Sequence, residues 1–144
     1  MNAGNAIYTI LSNAAAVTTI VGTGSNCRVY PMHVAQGKQM PFISYMVTNV
    51  QPRPSKDSAS TLDTYTVQIN CFAKIAGADS PYTQVNNLAD AVRSALDKIA
   101  QGTYGGISVH ACDFRNQRDD FALDAQEEGA MMITQEYTLW IYNT

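Results

Sequence analysis

The stretch from Leu62 to Gly102 constrains this chain most: one alternating strand, a short polar turn, then one long amphipathic helix. Tyr65, Val67, Ile69 and Cys71 fall on one face of the strand, and Thr64, Thr66, Gln68 and Asn70 on the other. A period of two with one apolar face predicts a strand that buries one side. Ala76-Gly77-Ala78-Asp79 supplies the turn, Ser80 stands at the N-cap position, and Pro81 stands at the first helical position. Val85, Leu88, Ala89, Val92, Leu96 and Ile99 then recur at helical spacing and share one stripe. Burying the larger members of that stripe contributes about 1.5–3 kcal/mol each. Gly102 is expected to end the helix as a left-handed cap.

Before this unit, Ala3, Ile7, Ile10, Leu11 and Ala14 mark a first amphipathic helix. Val17, Ile20 and Val21 mark a second short one, expected to be capped by Ser12 or Asn13 and stopped by Gly22. Arg28-Val29-Tyr30-Pro31 reads as a short extended piece; Pro31 cannot donate to a ladder, so the piece is an edge strand or not a strand. Phe42 to Val50 reads as a strand with apolar bulk on both faces. Gln51 to Ser60, with its prolines, serines and charges, reads as a loop. After the central helix, Thr103-Tyr104-Gly105-Gly106 turns the chain, and Ile107 to Cys112 alternates as a third strand. Asn116 to Gly129 is polar and acidic and reads as a solvated hairpin tip. Ile133, Tyr137, Leu139 and Ile141 alternate with Thr134, Glu136, Thr138, Trp140 and Tyr142 in a fourth strand. The expectation is an α+β fold: an antiparallel sheet of about four strands, with an N-terminal helix and one long central helix packed on one face. The 144 residues suit one domain, spanning 1–144.

A net charge of −3 disfavours avid binding to phosphate backbones. No apolar run approaches the ~18–20 residues of a membrane span, and no basic segment leads into an apolar run as in a secretory signal. Cys27, Cys71 and Cys112 are odd in number and widely spaced, as expected of reduced thiols made in a cytoplasm. Only 15% of residues are charged, which fits a chain whose surface is covered by partners.

Catalytic, metal and cofactor sites are not expected. His110 and Cys112, two apart on a strand, are predicted to share a face, but two ligands do not make a site. The carboxylates between Asp113 and Glu128 match no calcium loop. Gly102, Gly105 and Gly106 follow a helix instead of opening one, unlike a phosphate loop. The basic residues have no interleaved aromatics, unlike a nucleic-acid platform. Trp140 and Tyr142 lie opposite Leu139 and Ile141, and either pack under the first helix or meet a neighbouring subunit.

Several stretches together resemble the tail-terminator (tail-completion) proteins of long-tailed bacteriophages. They are Ala6 to Leu11 with Ala16 to Gly22, Arg28 to Pro31 followed by Pro41 to Tyr45, Val67 to Ala73, and Leu88 to Leu96. The resemblance implies a structural, non-enzymatic virion protein. It implies a homo-oligomeric ring, usually hexameric, on the head-proximal end of the tail tube. Such a ring stops tube polymerisation, meets the tail tube protein and a neck or head-completion protein, and lets DNA pass through its lumen without specific binding. It implies assembly in the host cytoplasm and a final place at the tail–neck junction. A head-completion or neck connector is the nearest alternative; a small enzyme and a nucleic-acid-binding module are more remote. The residues expected to touch partners are Arg53, Lys56 and Asp57 in one loop, Arg118, Asp119 and Asp120 in the acidic hairpin, and Trp140 and Tyr142 on the last strand.

Overall fold

A computed structural model describes residues 3–24, 27–31, 41–53, 62–74, 81–123 and 129–142. Helices α1 (Ala3–Asn13) and α2 (Ala15–Val21) precede strands β1 (Val29–Pro31), β2 (Phe42–Arg53) and β3 (Leu62–Lys74). Helix α3 (Pro81–Leu96) follows, then β4 (Gly102–Tyr104), β5 (Ile107–Leu123) and β6 (Gly129–Tyr142).

The strands form one sheet in the order β1-β2-β3-β6-β5-β4. It curls into an open half-barrel. This corrects the expected fold of about four antiparallel strands with an N-terminal helix and one long central helix: the described residues form three short helices, α1, α2 and α3, beside the sheet. The described residues form six strands, and β1 runs parallel to β2 while the other neighbours are antiparallel. The two extra strands, β1 and β4, are three residues each, too short to show a period in the sequence. β1 lies at the edge, as Pro31 requires.

The long strands also exceed expectation. β2 continues through Gln51, Pro52 and Arg53, which read as loop. Its pairing to β3 breaks register between Val47 and Asn49, so Thr48 is an extra residue and the alternation changes phase. β5 runs on through the acidic stretch to Leu123, held by β6. It carries register shifts at Val109/Ala111 and Phe114/Asn116. The first of these overturns the shared face of His110 and Cys112: Cys112 is buried in the core, and His110 is exposed.

The helices form where the apolar stripes predict. Ala3, Ala6, Ile7, Ile10 and Leu11 are buried along α1. Ser12 and Asn13 do not cap α2; their side chains turn back to the Thr9 carbonyl, at 3.4 and 2.8 Å. Ala14 takes the cap position without a side-chain bond, and Gly22, at φ 97°, stops the helix. Pro81 opens α3, while the turn before it and Ser80 lie outside the described residues.

α3 ends at Leu96, not Gly102. Lys98 takes the left-handed turn at φ 57°, and its N–H donates to the Cys112 carbonyl at 2.8 Å. Asp97 Oδ1 accepts the Phe114 N–H at 3.0 Å. Two polar groups on the edge of β5 thus capture the end of the helix, a tertiary demand that outweighs the continuing apolar spacing. Gly102 becomes the first residue of β4.

One core cluster lies between the sheet and the helices. Val67, Ile69, Cys71 and Ala73 of β3, Ile133, Tyr137, Leu139 and Ile141 of β6, and Val85, Leu88, Val92 and Leu96 of α3 are all within it. The two-residue β4–β5 turn has both glycines at positive φ (58° and 80°), as a twisted hairpin requires. Gly105 presses on α1, where an added Cβ would sit 2.7 Å from the Asn5 carbonyl oxygen.

Candidate assembly surfaces

The register places the expected contact residues at two separate ends of the sheet. Arg53, the last residue of β2, stands opposite Leu62, which stands opposite Tyr142. Asp120 stands opposite Met132, which stands opposite Phe72. Leu62 and Phe72 are ten residues apart on β3. At ~3.4 Å per residue, the two groups are separated by ~34 Å. Arg118, Asp119 and Asp120 therefore lie at one end of the sheet, and Arg53, Trp140 and Tyr142 at the other. Lys56 and Asp57 lie outside the described residues.

At the first end, Asp119 is exposed and its Oδ2 accepts the Tyr82 hydroxyl at 3.1 Å. This ties the β5–β6 arm to the start of α3. Arg118 is exposed on the opposite side of β5. At the second end, Trp140 and Tyr142 are half-buried on the face away from Leu139 and Ile141. They do not lie under the first helix, because α1 and α3 occupy the other face. The Tyr142 hydroxyl shares a 2.8 Å hydrogen bond with His110 Nδ1, and the rings meet edge to face.

The face away from the helices is polar but closely knit. Thr134 Oγ1 donates to Asn70 Oδ1 at 2.9 Å, Gln68 Nε2 donates to the same oxygen at 3.1 Å, and Asn70 Nδ2 reaches Ser44 Oγ at 3.4 Å. From Ser44 through Asn70 to Thr134 this strip is uncharged. An aromatic group closes one end of it, with Phe42 stacked on Phe72 at 4.6 Å and Tyr30 edge-on at 5.9 Å.

The groups that could do chemistry are sealed. Cys27, Cys71 and Cys112 are free and buried. Burial pushes the Cys71 thiol up to about 12; burial, aided by Asp113 and Asp97, does the same to Cys112. Among the described residues, no group of three His, Cys, Asp or Glu side chains converges. No helix of the described residues is long and apolar enough to cross a membrane.

Sequence reasoning missed Tyr82, Val47 and Val50, large apolar side chains that stay exposed (49%, 36% and 49%). Val47 and Val50 sit astride the β2 irregularity, which hides their shared side from an alternation count.

The family described as "Tail completion protein gp17" matches residues 5–141. The chain belongs to that family. It is a structural tail-completion protein of a phage virion, and not an enzyme. A solved chain from the "Virion of native gene transfer agent (GTA) particle" shares the fold. Its TM-score is 0.71 at 19% identity, over 98% of this chain and 97% of that one. No curated protein matches. The family expected from the residues is thus the family found, though the sheet differs from the expected one.

Proposed function

We propose that the chain, acting as one domain, is the tail terminator. It closes into a ring, usually of six copies, on the head-proximal end of the tail tube, stops the tube's growth and offers its far side to the neck. The observation that carries this reading is the two-ended sheet of a tail-completion protein. A terminator must hold two different neighbours at once, and the candidate contact residues stand ~34 Å apart along the strands. Arg53, with Lys56 and Asp57 just beyond it in sequence, serves one axial neighbour; Arg118, Asp119 and Asp120, at the far end, serve the other, where β5 also comes beside the next copy in the ring. The lumen passes DNA, and the protein resides at the tail–neck junction after assembly in the host cytoplasm.

The test is to reverse charge at each end separately, Arg53→Glu with Lys56→Glu, and Asp119→Lys with Asp120→Lys. One variant is expected to let tube protein polymerise to uncontrolled length. The other is expected to give correctly sized tails that do not join heads. Wild-type behaviour from both, seen by electron microscopy of assembly mixtures, would refute the assignment of these residues.

A further inference from the structure

Both sides of the sheet end in strands that are only partly covered. β1 pairs with β2 only at Ile43, Ser44 and Tyr45. β4 pairs with β5 only at Ile107, Ser108 and Val109. Beyond these, no described strand covers either edge. An open edge invites another strand unless it is blunted. On β5, the Cys112 carbonyl and the Phe114 N–H are already taken by Lys98 and Asp97. Among the described residues the uncovered part therefore begins after Phe114 and includes Gln117 to Phe121. On β2, the Ile43 N–H points outward to the Arg28 carbonyl. The same parity, carried past the irregularity, turns Val47, Val50 and Pro52 outward. Pro52 lacks the N–H that would otherwise be orphaned there, so Val47 to Gln51 is the stretch able to pair.

The two edges complement each other in three ways. First, the described residues 28–31 and 41–53 on the β2 side carry Arg28 and Arg53 and no carboxylate, net +2. β5 carries Asp113, Asp119 and Asp120 against Arg115 and Arg118, net −1. Second, the exposed Val47 and Val50 stand on one edge, and the exposed Tyr82 is bonded to Asp119 on the other. Third, β2 and β5 run in opposite directions. Copies related by rotation about an axis near the strand direction would bring them together as an antiparallel pair.

We infer that successive copies of this chain join edge to edge, Val47–Gln51 of one against Gln117–Phe121 of the next, with the helices on the outside of the ring. The inference rests on the ring proposed above and names its seam. The geometry closes. Through β3 and β6, Val47 and Val50 stand level with Tyr137 and Leu139, whereas Gln117 to Phe121 stand level with Gln135 to Met131. The neighbour is thus displaced along the strands by about five residues, ~17 Å. Four strands per copy, β2, β3, β6 and β5, span ~19 Å across. The two distances give a strand tilt of about 40°, within the range of closed barrels. Six copies at that tilt enclose a backbone diameter of ~48 Å, wide enough for a DNA duplex.

The direction of the displacement fixes which face is outside. Seen from the helix side with β2 rising, the Ile43 side chain faces the viewer, and the N–H of an L-residue then points right, toward β1. β5 lies at the left edge. Right-twisted strands in a closed barrel lean rightward as they rise, seen from outside, so a copy joined at the left sits lower. Lower is the required direction only when the helix side is the exterior. The strip of Ser44, Asn70 and Thr134 then lines the lumen, with Arg118 continuing the row opposite Thr134.

Val50→Cys combined with Asp119→Cys in the full chain tests the seam. With a short bismaleimide, the pair should give a ladder of covalent multimers on a denaturing gel, and neither single variant should. The native thiols are buried and should stay silent, which a wild-type control checks. Val50→Asp, which places a carboxylate against the acidic edge, should lose the ring mass in native mass spectrometry and keep the wild-type circular dichroism. If the wild type forms rings but the cysteine pair gives no ladder, or the aspartate variant still assembles, the seam is wrong and the ring stands. If the wild type forms no ring alone or with tube protein, the ring fails and the seam with it.

Discussion

Gln135 offers the sharpest check on how the sheet and helix are joined. It is fully buried on β6, on the core side where apolar residues are the rule. Its Nε2 donates to the Ala89 carbonyl of α3 and to Gln117 Oε1 of β5, both at 2.9 Å. Its Oε1 accepts the Tyr137 hydroxyl at 2.8 Å. One side chain thereby links two strands and a helix, with every partner paired. Gln135→Leu removes the amide and leaves the Tyr137 hydroxyl buried without an acceptor. Ala89 keeps its helical bond and Gln117, which is exposed, turns to water, so the orphaned hydroxyl dominates. The expected loss is about 2 kcal/mol, or roughly 6 °C in Tm for a chain of 144 residues. Tyr137→Phe alone orphans Gln135 Oε1 and costs about 1–2 kcal/mol. Combining them removes both partners, so the double variant should fall short of the summed losses by about 1–2 kcal/mol. Urea unfolding of the four proteins measures that coupling directly. Strict additivity, or a Gln135→Leu protein within ~0.5 kcal/mol of wild type, would refute the linked role.

Gly105 and Gly106 should respond unequally to alanine. At Gly105 a Cβ would meet Thr9 Oγ1 at 2.6 Å and the Asn5 carbonyl oxygen at 2.7 Å, so Gly105→Ala should cost more than about 2 kcal/mol; Gly106→Ala, with open space around it, about 1 kcal/mol. Equal losses in thermal melts would show that the hairpin does not press on α1. Alkaline pH should unfold the protein early. Burial holds Cys71, Cys112 and Tyr137 protonated in the fold, so stability is intact below the unfolded pKa values and falls as pH rises past about 9. The two thiols, each raised from 9.0 to about 12, account for roughly 5 kcal/mol of loss by pH 11. A urea midpoint that stays flat from pH 8 to 11 would contradict their burial.

The elements that read most clearly in the sequence are those whose burial follows one unbroken period. The Tyr65–Cys71 face and the Val85–Leu96 stripe are buried as the alternation and helical spacing require. Misreading began where a tertiary partner overrode the local pattern. The apolar spacing to Ile99 continues past the true end of α3 because nothing local reveals that Asp97 and Lys98 bond to β5. The extra residues in β2 and β5 shift the alternation mid-strand, which parts Cys112 from the face of His110, and the polar stretch from Asn116, which reads as a hairpin tip, is strand as far as Leu123. Pairing with β6 holds it there regardless. Asp119 and Arg118 were picked out by charge, yet the Tyr82 contact that positions Asp119 joins residues 37 apart in sequence, beyond the reach of any local rule.

The three sealed thiols bear on what happens after the host is gone. A released phage particle meets oxygen and peroxide with no glutathione pool to undo their damage. A sulfhydryl kept neutral and dry offers such oxidants almost no thiolate to attack. Of the three, Cys27 is the only one with measurable exposure, at 8%. Ageing of the free virion at this protein should therefore begin there, beside the Arg28 that ties the edge strand to the second helix.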